Sequence, residues 1–138
     1  MSYLLDTNAC IAIINHRPKT VRQRFLKVLD GGAQVWASSV VVFELWYGVA
    51  KSSRPATNTE RLRAFLAGPL GLISFDGEDA EVAGALRATL QASGRPIGAY
   101  DLLIAAQAVR RGMTLVTANV FEFRRVKGLR WEDWAKVG

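Results

Sequence analysis

The chain has 138 residues, half of them hydrophobic and 22% charged, which excludes a disordered or fibrous protein and is about one domain's worth of sequence. Eighteen Lys and Arg against twelve Asp and Glu give a formal charge of +6, a balance that suits polyanionic partners as well as simple solubility. The single cysteine, Cys10, excludes an intramolecular disulfide and a thiolate zinc cluster.

In chain order, SYLLD reads as a short buried strand, and Asn8 to Ile14 as an apolar helix opening near Asn8. KTVRQRFLKVLDGG puts Val21, Phe25, Val28 and Leu29 on one helical face and ends in glycines. AQVWAS is a second strand. Ser38 or Ser39 can cap a helix through VVVFELWYGVAKS, with Ser52 to Asn58 a loop, and a further helix carries Leu62, Phe65 and Leu66 up to Gly68 and Pro69. GLISF is the third strand. Asp76 is placed to cap the amphipathic DAEVAGALRATLQASG, RPIG turns the chain, Tyr100 to Arg111 forms a helix ended by Gly112, MTLVTAN is β-prone, and LRW is a last short strand. Strands alternating with helices argue for an α/β fold with a parallel sheet covered on both faces, whose ligands bind at the strand carboxyl ends. No repeat or composition break divides the chain, so residues 1–138 read as a single domain.

Positive charge is concentrated early, +5 over residues 1–69 against +1 over 70–138. The longest uncharged stretch, residues 31–43, is too short to span a bilayer, and no basic leader precedes the first apolar run. A cytoplasmic protein with no membrane contact is the expectation. The lone histidine, His16, lies in the loop-like NHRPKT, which leaves no partners for a zinc site or a Ser/His/Asp triad. Phosphate-cradling glycine motifs are absent from the sequence.

Three carboxylates stand alone in apolar surroundings: Asp6 in SYLLDTNACIAII, Glu44 in SSVVVFELWYGVA and Asp101 in GAYDLLIAAQAV. An ionised carboxylate leaving water for an apolar site costs several kcal/mol in practice, unless a charge partner or a metal ion compensates it. The other nine acids, Asp79 among them, sit beside polar or turn-forming neighbours and read as solvated surface. Taken singly, each isolated acid has a structural reading: Asp6 as a helix cap, Glu44 paired with Lys51, Asp101 satisfying amides at its own helix start. Taken together at the carboxyl ends of parallel strands, they can converge with Asn119 on one edge of the sheet. Carboxylate oxygens suit hard divalent ions, which activate water against phosphodiesters.

LLDTN at 4–8, SSVVVFELWYG at 38–48, IGAYDLLIAAQA at 97–108 and LVTANVFEF at 115–123 resemble, in order and spacing, a PIN-domain ribonuclease of the VapC toxin type. The resemblance implies a three-layer α/β/α sandwich with a central parallel sheet, and an endoribonuclease dependent on Mg²⁺, with Mn²⁺ able to substitute. It further implies a VapB-like antitoxin partner, an RNA substrate for which tRNA is one candidate, and a homodimer. Asp6, Glu44 and Asp101 match the family's principal metal-site acids. Asn119 stands where many relatives carry an acid, so Glu122 is expected to complete the catalytic cluster. Thr7 and Asn8 are expected to orient Asp6, and Ser38 to lie close to the metal site. Phe121 departs from the basic residue common at its position. Lys51, Arg54 and the group from Arg17 to Lys27 are candidates for holding RNA, whereas Trp36, Trp46, Tyr47 and Tyr100 are expected in the core or a dimer face. Two other readings remain open: a catalytically inactive PIN-like module that binds RNA or protein, and a nuclease acting on structured DNA.

Overall fold

A computed structural model describes residues 1–136. Five strands, β1 (Ser2–Leu5), β2 (Gln34–Ser38), β3 (Gly71–Ile73), β4 (Thr114–Val116) and β5 (Arg130–Glu132), form one sheet in the order β3-β2-β1-β4-β5. Every neighbouring pair is parallel, with Tyr3 opposite Val35 on one side and Thr114 on the other. Seven helices connect them: α1 (Thr7–Asn15), α2 (Lys19–Asp30), α3 (Ser39–Ala50), α4 (Pro55–Leu66), α5 (Gly77–Ala92), α6 (Ala99–Arg111) and the single turn α7 (Val120–Phe123). The arrangement is a three-layer α/β/α sandwich. β1 is central, and Leu4, Leu5, Leu115 and Val116 are wholly buried, as a strand covered on both faces requires. The core they anchor runs from Tyr3 to Trp134, whose rings meet edge to face with centroids 5.2 Å apart.

Local chemistry sets the ends of these elements. The Asp6 carboxylate accepts from the Ala9 amide at 2.7 Å and so caps α1, and the Ser38 hydroxyl accepts from Val40 at 3.1 Å and caps α3. α5 opens with a reciprocal capping box, Asp76 accepting from the Asp79 amide and Asp79 from the Asp76 amide. Gly112 ends α6 in the left-handed conformation at φ 64°, where the Met113 amide reaches back to Ala108 at 2.9 Å. Gly71 is needed for a different reason: a Cβ there would lie 2.3 Å from the Trp36 ring.

Two expectations need correction. α4 begins at Pro55, inside the segment read as a loop, because proline at the first helical position has its φ preset and its missing N–H would have no partner there anyway. Asp79, read as solvated, has no exposed surface at all. It is compensated by residues from α6, some thirty positions away in sequence: Arg110 Nη1 donates to Oδ1 at 2.7 Å, and Arg111 Nη2 and Gln107 Nε2 each donate to Oδ2 at 3.1 Å.

Candidate active site

Asp6 follows the last residue of β1 and is 4% exposed where the chain turns into α1. α3 brings Glu44 alongside, and the Thr7 hydroxyl donates to Glu44 Oε1 at 2.8 Å. Asp101 lies in the first turn of α6, whose cap residue Gly98 has no side chain to offer. Asp101 Oδ2 and Glu122 Oε1 both lie beside Gly98, each 3.6 Å from where a Cβ on it would sit, an ordinary contact distance that places the two acids on either side of the start of α6. Glu122 reaches in from α7: its Oε1 accepts from the Gly98 amide, and its Oε2 accepts from Asn119 Nδ2 at 2.9 Å.

The charges of these groups are felt mutually. Burial pushes the Asp101 carboxyl up to about 6, and the nearby charges of Glu122, Asp6 and Glu44 push in the same direction. Burial likewise raises Asp6; the Thr117 hydroxyl and the Ala9 amide pull it back, while Glu44 and Asp133 push it up again. Glu122 is held below the usual carboxylate range, first by the Asn119 amide and then by the Gly98 N–H, with Arg125 assisting. The arrangement is thus a pocket of acids whose ionised forms repel one another.

Asp6, Glu44, Asp101, Asn119 and Glu122 therefore come together, yet in unequal states. Both oxygens of Glu122 are engaged in hydrogen bonds, and Asn119 serves Glu122. Thr7 orients Glu44 rather than Asp6, Asn8 is exposed, and Ser38 is a buried helix cap. Lys51 does not pair with Glu44; its ammonium lies over the Tyr47 ring, 4.9 Å from the centroid. Tyr47 and Tyr100 are 59% and 47% exposed and so lie outside the core, whereas Trp36 and Trp46 pack against it. Two residues near Asp6 were missed from sequence: Thr117, just past β4, and Asp133, just past β5. Thr117 is brought there by β4 pairing with β1, and Asp133 by β5 lying beside β4, a pairing that WEDW does not announce.

Among the described residues, no group of three or more His, Cys, Asp or Glu side chains is gathered closely enough to hold a metal ion. The donor set nevertheless fits a hard divalent cation. It consists of carboxylate oxygens alone, it is short of compensating positive charge, and Mg²⁺ characteristically takes one or two protein carboxylates and keeps waters in its remaining positions.

The chain matches known proteins over nearly its whole length. The family model described as PIN domain matches residues 3–129. The chain is 41% identical over 135 residues to the tRNA(fMet)-specific endonuclease VapC of Shigella flexneri, covering 98% of this chain and 99% of that protein. It is 40% identical over 136 residues to Ribonuclease VapC2 of Rickettsia felis, covering 99% of this chain and all of the relative. Among solved structures, VapBC2 from Rickettsia felis bound to a promoter DNA fragment superposes with a TM-score of 0.87 at 38% identity, over 96% of this chain and 98% of the other. DNA-bound VapBC from Salmonella typhimurium gives the same TM-score and identity over 97% and 98%. This chain belongs to the PIN-domain family, in its VapC ribonuclease branch.

Proposed function

We propose that the pocket hydrolyses RNA phosphodiester bonds with the help of Mg²⁺ or Mn²⁺, and that the protein is the toxin of a toxin–antitoxin pair. The observation that carries this reading is the gathering of Asp6 after β1, Glu44 on α3, Asp101 on α6 and Glu122 on α7, close enough that their charges and burial together raise the Asp101 carboxyl. Asp6 and Asp101 would hold the ion, and Glu44, fixed by Thr7, would hold a water in its outer shell. When bound, the cation supplies charge for the attacked phosphate and acidifies water. Asp6 is rigid because it caps α1, and Asp101 because α6 is tied at both ends, so neither carboxylate must be ordered when substrate arrives. Glu122 acts on the backbone instead, clasping the Gly98 amide and setting where α6 begins.

Relatives supply the context. One is named a tRNA(fMet)-specific endonuclease, which makes tRNA the first substrate to try, and the solved neighbours are VapBC complexes, which makes a VapB-like antitoxin the expected partner. Ile11, Ile14, Leu45, Val49 and Leu62 line a groove of about 220 Å³ between α1, α3 and α4 that reaches Glu44, a place where an antitoxin segment could close the pocket. Phe43, Tyr47 and Tyr100 form an exposed aromatic patch suited to a homodimer; its test is the mass in solution of wild type against Tyr47→Glu. No helix among the described residues is long and apolar enough to cross a membrane. A cytoplasmic site of action, where RNA is at hand, is part of the same reading. Lys51, Arg54 and the segment from Arg17 to Lys27 would meet phosphates.

The deciding experiment supplies labelled tRNA, other RNA and structured DNA with Mg²⁺, beside Asp6→Asn and Asp101→Asn. Cleavage of RNA by wild type and by neither variant supports the reading. Cutting of DNA alone would favour the DNA nuclease, and binding without any cutting the inactive module.

A further inference from the structure

Phe121 is the most exposed aromatic side chain among the described residues, 64% exposed and outside the core. Its helix is pinned from within, because Phe123 two residues on is completely buried, so the turn that hides Phe123 presents Phe121 outward. The next residue, Glu122, is the one whose carboxylate clasps Gly98 opposite Asp101. Two guanidiniums attend the ring, Arg124 at 4.7 Å and Arg125 at 5.2 Å from its centroid. Arg125 is itself tied to the turn before α6, donating to the Pro96 carbonyl at 2.8 Å. An exposed aromatic ring with two guanidiniums over it therefore stands next to the residue that clasps Gly98.

We propose that Phe121 is a stacking platform for an RNA base next to the bond being cut, with the guanidiniums of Arg124 and Arg125 swinging off the ring to take the flanking phosphates. This rests on the ribonuclease reading. Exposed aromatic rings with adjoining arginines bind single-stranded nucleic acid by stacking, which every base can do, while the cations follow the backbone. An apolar protein groove closing over the same ring would have to strip water from two guanidiniums without offering phosphates in return, which disfavours it as the first occupant. Phe121 then acts in substrate placement and not in the chemical step. Its removal should weaken ground state and transition state alike, raising KM and leaving kcat nearly unchanged.

The test uses the full chain in an Asp6→Asn background, which keeps the α1 cap and cuts nothing, with fluorescent 12-nucleotide oligo(A) and an abasic ribose-phosphate oligomer of the same length as probes. Wild-type Phe121 should bind oligo(A) more tightly than the abasic strand. Phe121→Ala should weaken oligo(A) binding by about 5- to 100-fold and leave the abasic strand nearly unaffected, and Phe121→Tyr should restore it. In the cleaving protein, Phe121→Ala should raise KM for RNA by a similar factor at unchanged melting temperature. Equal loss for both probes, or no loss for either, overturns the proposal and leaves the ring to a protein partner. Failure of the wild type to cut any RNA would instead sink the ribonuclease reading, and the binding comparison would still decide the role of Phe121.

Discussion

Asp101 carries a carboxyl displaced upward, and its sign determines what substitution does. Its folded value of about 6 exceeds the ordinary 3.8, so well below pH 3.8 the group is neutral in both states and adds no penalty, whereas above pH 6 the folded protein bears the full cost of its charge. The whole displacement corresponds to roughly 3 kcal/mol, which solvent at this half-buried site reduces to about 1–2 kcal/mol. In the absence of divalent ions, Asp101→Asn should therefore melt higher than wild type at pH 7.5, with the difference vanishing as pH falls to about 3, and should cut no RNA. Equal melting temperatures at pH 7.5 would mean that the acids do not repel each other as described. Asp79 has the opposite sign. Burial alone would raise its carboxyl, but Arg111, the Asp76 amide, Arg110 and Gln107 together hold it well below the usual carboxylate range. Its contribution is fully present above pH 4 and is lost as pH falls through the ordinary value of 3.8 toward the folded one. Asp79→Ala, which removes the buried acceptor of Arg110, Arg111 and Gln107 and leaves the arginines only exposed Asp76 and Glu78, should destabilise by about 1–3 kcal/mol at neutral pH. Urea unfolding at several pH values checks this; a deficit that stays constant down to pH 2.5 would rule out the ionic account.

At the scale of elements, α6 is a rod held at its two ends, by the Glu122 clasp on Gly98 at the start and by the Asp79 cluster on Arg110 and Arg111 at the finish. Asp101 rides on it, so its position depends on both fastenings. If Glu122 works as a clasp, Glu122→Gln, which retains an acceptor for the Gly98 amide, should keep most activity, while Glu122→Ala should lose about 10- to 100-fold and need more Mg²⁺. Equal loss in the two variants, read from initial rates across a Mg²⁺ titration, would make Glu122 an ionic ligand after all. Much of this architecture could be read from the chain, because strand runs such as SYLLD and caps such as Asp6, Ser38 and Asp76 are local signals. The isolation of Asp6, Glu44 and Asp101 in apolar runs was also visible, since an uncompensated charge in such a run demands a partner. What escaped was non-local. The burial of Asp79 depends on arginines from another helix, the Glu122 clasp on an amide 24 residues earlier, and the early start of α4 on proline favouring a first turn.

Across the whole molecule, a chain of net charge +6 holds a group of mutually repelling acids, and a divalent cation is the simplest agent that relieves their repulsion. Binding only to the folded state adds RT ln(1 + [L]/Kd) to stability, about 1.4 kcal/mol at ten times Kd. For a domain of this length that is a rise of roughly 3–6 °C in Tm. Mg²⁺ and Mn²⁺ in the millimolar range should therefore raise the Tm of wild type at pH 7.5, where the acids are ionised, and have little effect at pH 4.5, where Asp101 is mostly protonated. Asp101→Asn separates this from a general salt effect, since screening by NaCl at matched ionic strength touches both proteins, whereas site-specific stabilisation belongs to wild type alone. The same salt series extends to the RNA surface: with Asp6→Asn protein, the logarithm of binding should fall linearly with the logarithm of salt, and Arg124→Gln should make that slope shallower by about one phosphate contact. A wild-type Tm that responds to Mg²⁺ no more than to NaCl would leave the acids without a cation to gather them, however well their geometry suits one.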